Sequence, residues 1–261
     1  MNQTLRAALI GIRNILLGAN LRALPCIFNP RKLAFYSTQT LFYYDFLFRI
    51  GLPVKNVREI LPHTDYSDIS LFLGTDDFWI NDVPTGGSDL LSLSLITRLV
   101  QPKRIFEIGT CRGYTALQLA ANAPGAEVFT LDIPENASPA LPITVMDRMF
   151  SDAKRGETLD GRNDVHKIHR LYGDSATFDF SPYFGNIDLF FIDGAHTYEY
   201  VRNDTLKALE CCHNGSVIMW HDYGRKGVNG VTRWLNEFSK SHFPLYRVPT
   251  GSLAYGIVSK P

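Results

Sequence analysis

Two short stretches place carboxylates and imidazoles directly after apolar runs of the kind that form buried strands. Asp193 and His196 follow the run IDLFFI, and His221 and Asp222 follow the run SVIMW. Adjacent parallel strands lie about 4.8 Å apart, and their carboxyl ends form the rim at which ligands bind in α/β sheets. Asp193, His221 and Asp222 are therefore predicted to converge at one edge of a sheet.

Two carboxylates with one imidazole could hold a divalent cation at that edge. Oxygen ligands suit Mg²⁺ or Mn²⁺, and the ions Mn²⁺, Fe²⁺ and Zn²⁺ tolerate the imidazole better. Such a metal lowers the pKa of a bound hydroxyl and so produces a nucleophile near neutral pH. His196 is predicted to be a general base, because an unperturbed imidazole titrates near pH 6.5. The alternative is that His196 caps a helix and His221 forms hydrogen bonds within the rim.

The stretch RIFEIGTCRGYT, over Arg104–Thr115, opens the predicted sheet. A strand leads into Glu107, and Gly109 and Gly113 follow before a helix begins. Its spacing, E-x-G-x-x-x-G, differs from the G-x-G-x-x-G of dinucleotide-binding folds, and it has no lysine for a phosphate. An acidic residue at the strand end suits a cationic or hydroxyl-rich ligand better than a phosphate. An ordinary strand–turn–helix is the alternative interpretation.

Two further acidic positions lie at predicted strand ends. Asp132 ends the run EVFTL, where a carboxylate can accept both hydroxyls of a ribose. A surface aspartate at a strand end is the alternative. Asp174 and Ser175 follow a third strand, and they could contact an adenine edge or form a plain Asx turn.

The elements that must position these residues alternate between strands and helices. This order predicts a doubly wound, mostly parallel, Rossmann-like α/β sheet of seven strands with an N-terminal helical extension. Residues 134–165 contain three prolines and a polar stretch, and they predict a loop with one helix near 146–153. The predicted strands are 104–108, 127–131, 165–171, 187–192, 216–220, 245–248 and 253–258, and the predicted helices are 89–100, 115–120, 198–212 and 228–239.

The first eighty residues are predicted to be a separate extension, with the main domain over 81–261. Residues 1–44 contain five basic side chains and no acidic one, and apolar residues at helical spacing predict an amphipathic helix over 3–18. A basic amphipathic helix can lie on a membrane surface through residues 1–32, or pack on the domain or a second subunit. The aromatic-rich stretch 33–53 suits a core, a pocket lid or a homodimer interface.

The composition excludes several classes of protein. The 26 basic and 26 acidic side chains balance, so no nucleic-acid partner is expected. The four cysteines form no C-x-x-C pair, which favours a reduced, cytoplasmic protein. No apolar run is long enough to predict a membrane-spanning helix.

The ordered set FEIGTCRGYT, YGDS, DLFFIDGAHTYEYVRND, GSVIMWHDYG and TGSLAYGIV resembles the class I S-adenosylmethionine (SAM) methyltransferases over residues 85–258. The resemblance is strongest to the branch called methyltransferase domain 24, near small-molecule and sugar O-methyltransferases. It implies a base at His196 and a metal at Asp193 and the 221–222 pair, where relatives carry Asp-Asp, Glu-Asp or Asp-Asn rather than His-Asp. The resemblance also implies cofactor contacts: Glu107, Gly109, Gly113 and Thr115 on the methionine side, Asp132 at the ribose, and Asp174 and Ser175 at the adenine.

The sequence therefore predicts a SAM-dependent methyltransferase acting on a hydroxyl oxygen of a small molecule or sugar, with or without the assistance of Mg²⁺ or Mn²⁺. An NAD(P)-dependent oxidoreductase on a similar sheet is one alternative, against which the glycine spacing argues. A non-enzymatic scaffold that keeps the fold is the other, against which the acidic and imidazole-bearing rim argues.

Overall fold

The computed structural model describes the chain over residues 51–61, 69–71, 87–135, 137–149, 154–162, 165–225, 228–249 and 251–260. Residues from Gly51 onward form one compact unit. Most of the predicted extension over 1–80 lies outside the described residues. Its helix over 3–18, its membrane contact through 1–32 and its boundary with the domain over 81–261 stay predictions.

The described residues contain one sheet of seven strands. In chain order these are β1 Arg104–Ile108, β2 Glu127–Asp132, β3 Ile168–Tyr172, β4 Ile187–Ile192, β5 Cys212–Trp220, β6 Tyr246–Arg247 and β7 Ala254–Ile257. The strands are ordered β3-β2-β1-β4-β5-β7-β6. The first five are parallel, whereas β7 runs antiparallel to β5 and β6 antiparallel to β7. The predicted doubly wound, mostly parallel fold is confirmed.

Helices cover both faces of this sheet. They are α1 Val57–Ile60, α2 Gly87–Val100, α3 Tyr114–Asn122, α4 Val145–Met149, α5 Tyr198–Cys211 and α6 Asn229–Ser241. Phe190 and Phe191 of β4 are fully buried, but they belong to separate hydrophobic clusters on opposite faces. Burial on both faces explains why this strand is a continuous apolar run. Among the described helices, none has the length and apolarity needed to cross a bilayer.

Two strands begin three or more residues away from the predicted bounds. β3 begins at Ile168 rather than 165, because the Ile168 N–H donates to the Val165 carbonyl and closes a turn there. β5 begins at Cys212, directly after α5, because Cys212 pairs with Ile187 at the start of β4.

The register of the central strands fixes where the site lies. Ile108 at the end of β1 pairs with Ile192 at the end of β4, which pairs with Trp220 at the end of β5. The three segments that follow these residues therefore leave the sheet side by side. They carry the glycine turn, Asp193 and the His221-Asp222 pair.

Candidate active site

The turn between β1 and α3 needs its glycines. Gly109 has φ 104° and Gly113 has φ 95°, a region that favours glycine. A Cβ atom at Gly109 would collide with the backbone carbonyl of Asp193, so the chain after β4 can approach only because this residue is glycine. Cys111 adopts φ 45° between them, where a further glycine would be unstrained. Thr115 lies in the first turn of α3.

Asp132 lies beside this turn at the end of β2. Its Oδ2 accepts a hydrogen bond from the Cys111 N–H at 2.7 Å, and its Oδ1 lies 3.2 Å from Arg155 Nε. Burial raises the pKa of Asp132, although the Arg155 guanidinium opposes this shift. The residue predicted to bind ribose is thus a partly buried carboxylate, with 14% of its side chain exposed, held by the glycine turn on one side and by a cation on the other.

Glu107 is buried within β1, beneath the glycine turn. Its Oε2 accepts a hydrogen bond from the Thr130 hydroxyl at 2.5 Å, and Thr110 contacts the same hydroxyl at 2.6 Å. The other oxygen, Oε1, has no hydrogen-bond partner among the described residues. Burial raises the pKa of Glu107 well above its usual range. A buried acceptor without a partner beside a ligand-binding turn is open to a donor group.

Asp174 already has protein partners in this structure. Its Oδ1 accepts from the Ala176 N–H at 2.8 Å, which is the Asx-turn contact that the sequence left as an alternative. Its Oδ2 accepts from the Ala140 N–H at 2.6 Å and from the Tyr200 hydroxyl at 2.8 Å. Ser175 is buried next to it. The adenine contact of this pair stays a prediction.

Three side chains meet at the rim after β4 and β5. One ligand atom from each of Asp193, His196 and Asp222 lies within 4.8 Å of the other two. His196 Nε2 is 2.7 Å from Asp222 Oδ2, yet this nitrogen is buried and makes no aligned hydrogen bond within the described part of the chain. The arrangement brings together three of the four rim residues expected from the sequence.

The fourth residue, His221, lies behind this group rather than in it. Its side chain is buried, with Nδ1 3.1 Å from Asp193 Oδ1 and Nε2 3.3 Å from Asp89 Oδ2. Asp89, in the first turn of α2, also accepts from the backbone N–H of Ser252 at 2.8 Å. Both ring nitrogens of His221 thus contact carboxylates, whereas His196 occupies the position in the group that was predicted for His221.

Asp147 of α4 is a partner of His196 that the sequence analysis missed. Its Oδ1 lies 2.5 Å from His196 Nδ1. It comes from residues 134–165, whose lack of apolar periodicity gave no signal for a functional residue. Only its place in the predicted helix near 146–153 could have suggested a fixed position.

The carboxylates around the two imidazoles control their charge. Burial disfavours the charged form of His196, but the hydrogen bond to Asp147 and the negative charge of the nearby Asp222 outweigh burial and raise its pKa to about 10. Burial also opposes a positive charge on His221. The carboxylates of Asp193 and Asp222 outweigh burial and raise the pKa of His221 well above its usual range. The His196 ring is therefore cationic at neutral pH in this arrangement, and the carboxylates likewise favour the charged form of His221.

Asp222 completes the charge pattern. Its Oδ1 lies 2.8 Å from the Arg225 guanidinium. Burial would raise the pKa of Asp222, but His221 and His196 outweigh burial and lower it below its usual range. A narrow cleft opens beside the group. Its lining combines apolar side chains with the rim residues: Ile192, Asp193, Gly194, Ala195, His196, Val201, Trp220, His221 and Val231.

Residues 106–223 match the family model described as a methyltransferase domain. The matched stretch runs from β1 to the residue after Asp222, so it spans the glycine turn and all three members of the rim group. The resemblance to the class I SAM methyltransferases predicted from the sequence is confirmed over these residues. Asp89, on α2, lies outside the matched stretch of the methyltransferase domain.

Solved structures share the fold. A Staphylococcus aureus protein named as a candidate caffeoyl-CoA O-methyltransferase is 17% identical, covering 70% of this chain and 88% of that chain with a TM-score of 0.53. TomG from Streptomyces achromogenes, an O-methyltransferase involved in tomaymycin synthesis and solved with SAM, is 20% identical. That match covers 69% of this chain and 83% of TomG, with a TM-score of 0.48.

Proposed function

We propose that this chain transfers the methyl group of SAM to a hydroxyl oxygen of a small molecule or sugar. One observation carries the proposal: the glycine turn with Asp132 and the rim group with His196 lie at the same edge of the sheet. The first can hold a nucleoside, and the second offers groups that can take up a proton.

The residues on the β1 side fit SAM. Asp132 has a partly buried carboxylate next to the turn, where it can accept the ribose hydroxyls. The unpartnered Oε1 of Glu107 is an open acceptor for the ammonium group of the methionine end. SAM, when bound, supplies a methyl group that its sulfonium makes electrophilic, which leaves positioning and proton removal to the protein.

His196 is the residue that we assign to proton removal. In the arrangement described here its ring is cationic at neutral pH, because Asp147 and Asp222 both stabilise the proton. It can act as a base only after one of these carboxylates is neutralised or withdrawn. Asp222 is the one that faces the rim, so its charge decides whether His196 Nε2 can accept a proton.

A divalent cation fits this requirement. The carboxylates of Asp193 and Asp222 would hold it, which leaves the buried His196 Nε2 beside them to accept the proton. Mn²⁺ and Mg²⁺ suit two carboxylates with open positions for oxygen ligands. When bound, such an ion supplies Lewis-acid polarisation of the acceptor hydroxyl. Without the ion, the proton on His196 neutralises the Asp222 carboxylate instead. The ion and the proton therefore compete for this carboxylate.

Calorimetric titration with S-adenosylhomocysteine (SAH), with and without Mn²⁺ or Mg²⁺, tests the cofactor. We expect micromolar binding of SAH and none of NAD(H) or NADP(H) in the same assay. Binding of a dinucleotide instead would support the oxidoreductase alternative. Binding of neither cofactor class would support the scaffold.

Methyl transfer from isotope-labelled SAM to a panel of phenols and sugars tests the reaction. Replacing His196 by Ala should lower turnover by at least about a hundredfold, because general-base catalysis contributes on that order. The variant should bind SAH as the parent chain does. A fully active H196A variant would remove this residue from the mechanism.

A further inference from the structure

The segment 137–149, which we call the strap, connects the cofactor side of the site to the rim. Near its start, the Ala140 N–H donates to Asp174 at 2.6 Å. In its middle, the Thr197 hydroxyl donates to the Pro142 carbonyl at 2.9 Å. At its end, Asp147 reaches His196. The strap is therefore held to the domain along its length.

Asp147 is fixed by its own helix as well. Its Oδ2 accepts from the Thr144 N–H at 2.6 Å, and its N–H donates to the Thr144 hydroxyl at 3.0 Å. This reciprocal pair is a capping box at the start of α4. Because the cap and the tethers position the carboxylate before it meets His196, the carboxylate can act as a rigid reference for the ring.

Asp147 contacts His196 at two donor atoms. The ring Nδ1 lies 2.5 Å and the backbone nitrogen 3.3 Å from Asp147 Oδ1. The side chains are largely buried, with 14% of His196 and 8% of Asp147 exposed. A carboxylate acceptor keeps a proton on Nδ1, so Nε2 is the nitrogen that faces Asp222 and the rim.

We propose that Asp147 is the positioning residue of His196: it accepts the hydrogen bond of the Nδ1–H and orients the ring so that Nε2 is the nitrogen that faces the rim. This assignment rests on the proposed function for its catalytic meaning, but the hydrogen bond itself exists in the chain alone. The strap thereby supplies one group to the reaction from a stretch of sequence that lies outside the glycine turn and outside the strand ends.

A purely structural role for Asp147, as the cap of α4, is the competing explanation. Two substitutions separate the roles. Asp147→Asn leaves one acceptor oxygen where the Thr144 N–H and the His196 Nδ1–H each need one, so it breaks the cap or the ring contact. An amide that turns its NH₂ towards Nδ1 would also force the ring proton onto Nε2. Thr144→Ala removes the hydroxyl half of the cap but leaves the carboxylate opposite His196.

The test is NMR of the full chain with ¹⁵N-labelled histidine, without cofactor. The parent chain should show a strongly downfield proton bonded to a His196 Nδ1, assigned by its disappearance in His196→Asn. We expect this signal unchanged in Thr144→Ala, and its loss or a clear upfield shift in Asp147→Asn, because an amide oxygen is a weaker acceptor than a carboxylate. An unchanged signal in Asp147→Asn, or equal loss in Thr144→Ala, would overturn the assignment.

Functional measurements on the same variants keep this inference distinct from the proposed function. Asp147→Asn should bind SAH with parent affinity, and with an acceptor from the panel its kcat should fall at least tenfold with KM within twofold. Thr144→Ala should keep its kcat within twofold. A parent chain that binds no SAH would contradict the proposed function, while the NMR result would still decide the contact between Asp147 and His196.

Discussion

Asp204 offers the sharpest physical test of the domain's interior. It lies in α5 and is completely buried. Its Oδ1 accepts a hydrogen bond from the Asn203 amide at 3.0 Å, whereas Oδ2 has no hydrogen-bond partner within the described residues. Burial raises the pKa of Asp204 from 3.8 to about 7, against the opposing effect of Ser175 and Asn203. The perturbation that we consider is Asp204→Asn, which keeps the shape and removes the titration.

The sign follows from proton binding. Between pH 4 and pH 7 the folded chain holds a proton on Asp204 that the unfolded chain has released, so the free energy of unfolding falls as pH rises through this window. A shift of about three pKa units corresponds to about 4 kcal/mol, at about 1.4 kcal/mol per unit. The advantage of Asp204→Asn over the parent should therefore grow from near zero at pH 4 to as much as about 4 kcal/mol above pH 7.

Urea unfolding at pH 5, 6, 7 and 8 measures this difference. Glu199→Gln is the matched control, because Glu199 is an exposed carboxylate of the same helix. Its effect on the free energy of unfolding should stay within about 0.5 kcal/mol. A parent-to-variant difference for Asp204→Asn that stays constant from pH 5 to pH 8 would refute the reasoning, since the buried carboxyl would then not titrate there.

Three further predictions concern the site. Asp132→Asn should weaken SAH binding about tenfold or more by calorimetry, because the carboxylate proposed to accept two ribose hydroxyls becomes an amide; unchanged affinity would remove the ribose assignment. Gly109→Ala should lower the free energy of unfolding by at least about 2 kcal/mol, from strain and collision with a carbonyl, whereas Gly125→Ala, which meets no atom within 4 Å, should change it by less than about 1 kcal/mol. Asp193→Asn should weaken Mn²⁺ binding about tenfold or more in the same calorimeter; parent-like binding would place any cation elsewhere.

The parallel part of the fold could be read from the sequence because its strands are buried on both faces. IDLFFI is apolar at five of its six positions, and its one polar residue, Asp188, lies near the start of β4, where it accepts from the backbone N–H groups of Lys103 and Arg104. Turn residues and acidic residues at strand ends then located the glycine turn, Asp132 and Asp193. These features depend on local sequence, so local patterns predicted them.

The partners of the site residues could not be predicted in the same way. Asp89 meets His221 across 132 residues of sequence, and Asp147 meets His196 across 49 residues. Arg155 reaches Asp132 from a turn whose backbone bonds to the glycine turn, as the Gly156 N–H donates to the Cys111 carbonyl at 2.7 Å. Such contacts arise from tertiary packing of polar loops, which leave no periodic pattern in the sequence.

The exchange of roles between His221 and His196 has a simple geometric origin. Successive side chains along a strand point to opposite faces, so neighbours at a strand end do not both face the same ligand while the strand geometry continues. His221 still follows β5, as its N–H donates to the Ile192 carbonyl at 3.1 Å, and its ring is buried against Asp89 and Asp193. Asp222 breaks the strand with φ 61°, which turns its carboxylate to the rim.

His196 can occupy the position in the rim group that was predicted for His221. It lies beyond β4, in the turn before α5, where the alternation of side chains along a strand no longer applies. His221, the neighbour of Asp222 in the sequence, thus contacts the carboxylates from behind. His196, the neighbour of Asp222 in space, faces them at the rim. A motif of adjacent residues at a strand end should therefore be assigned to a ligand only after the backbone angle of the second residue is known. In this chain, that angle separates a buried supporting imidazole from the one that we assign to proton transfer.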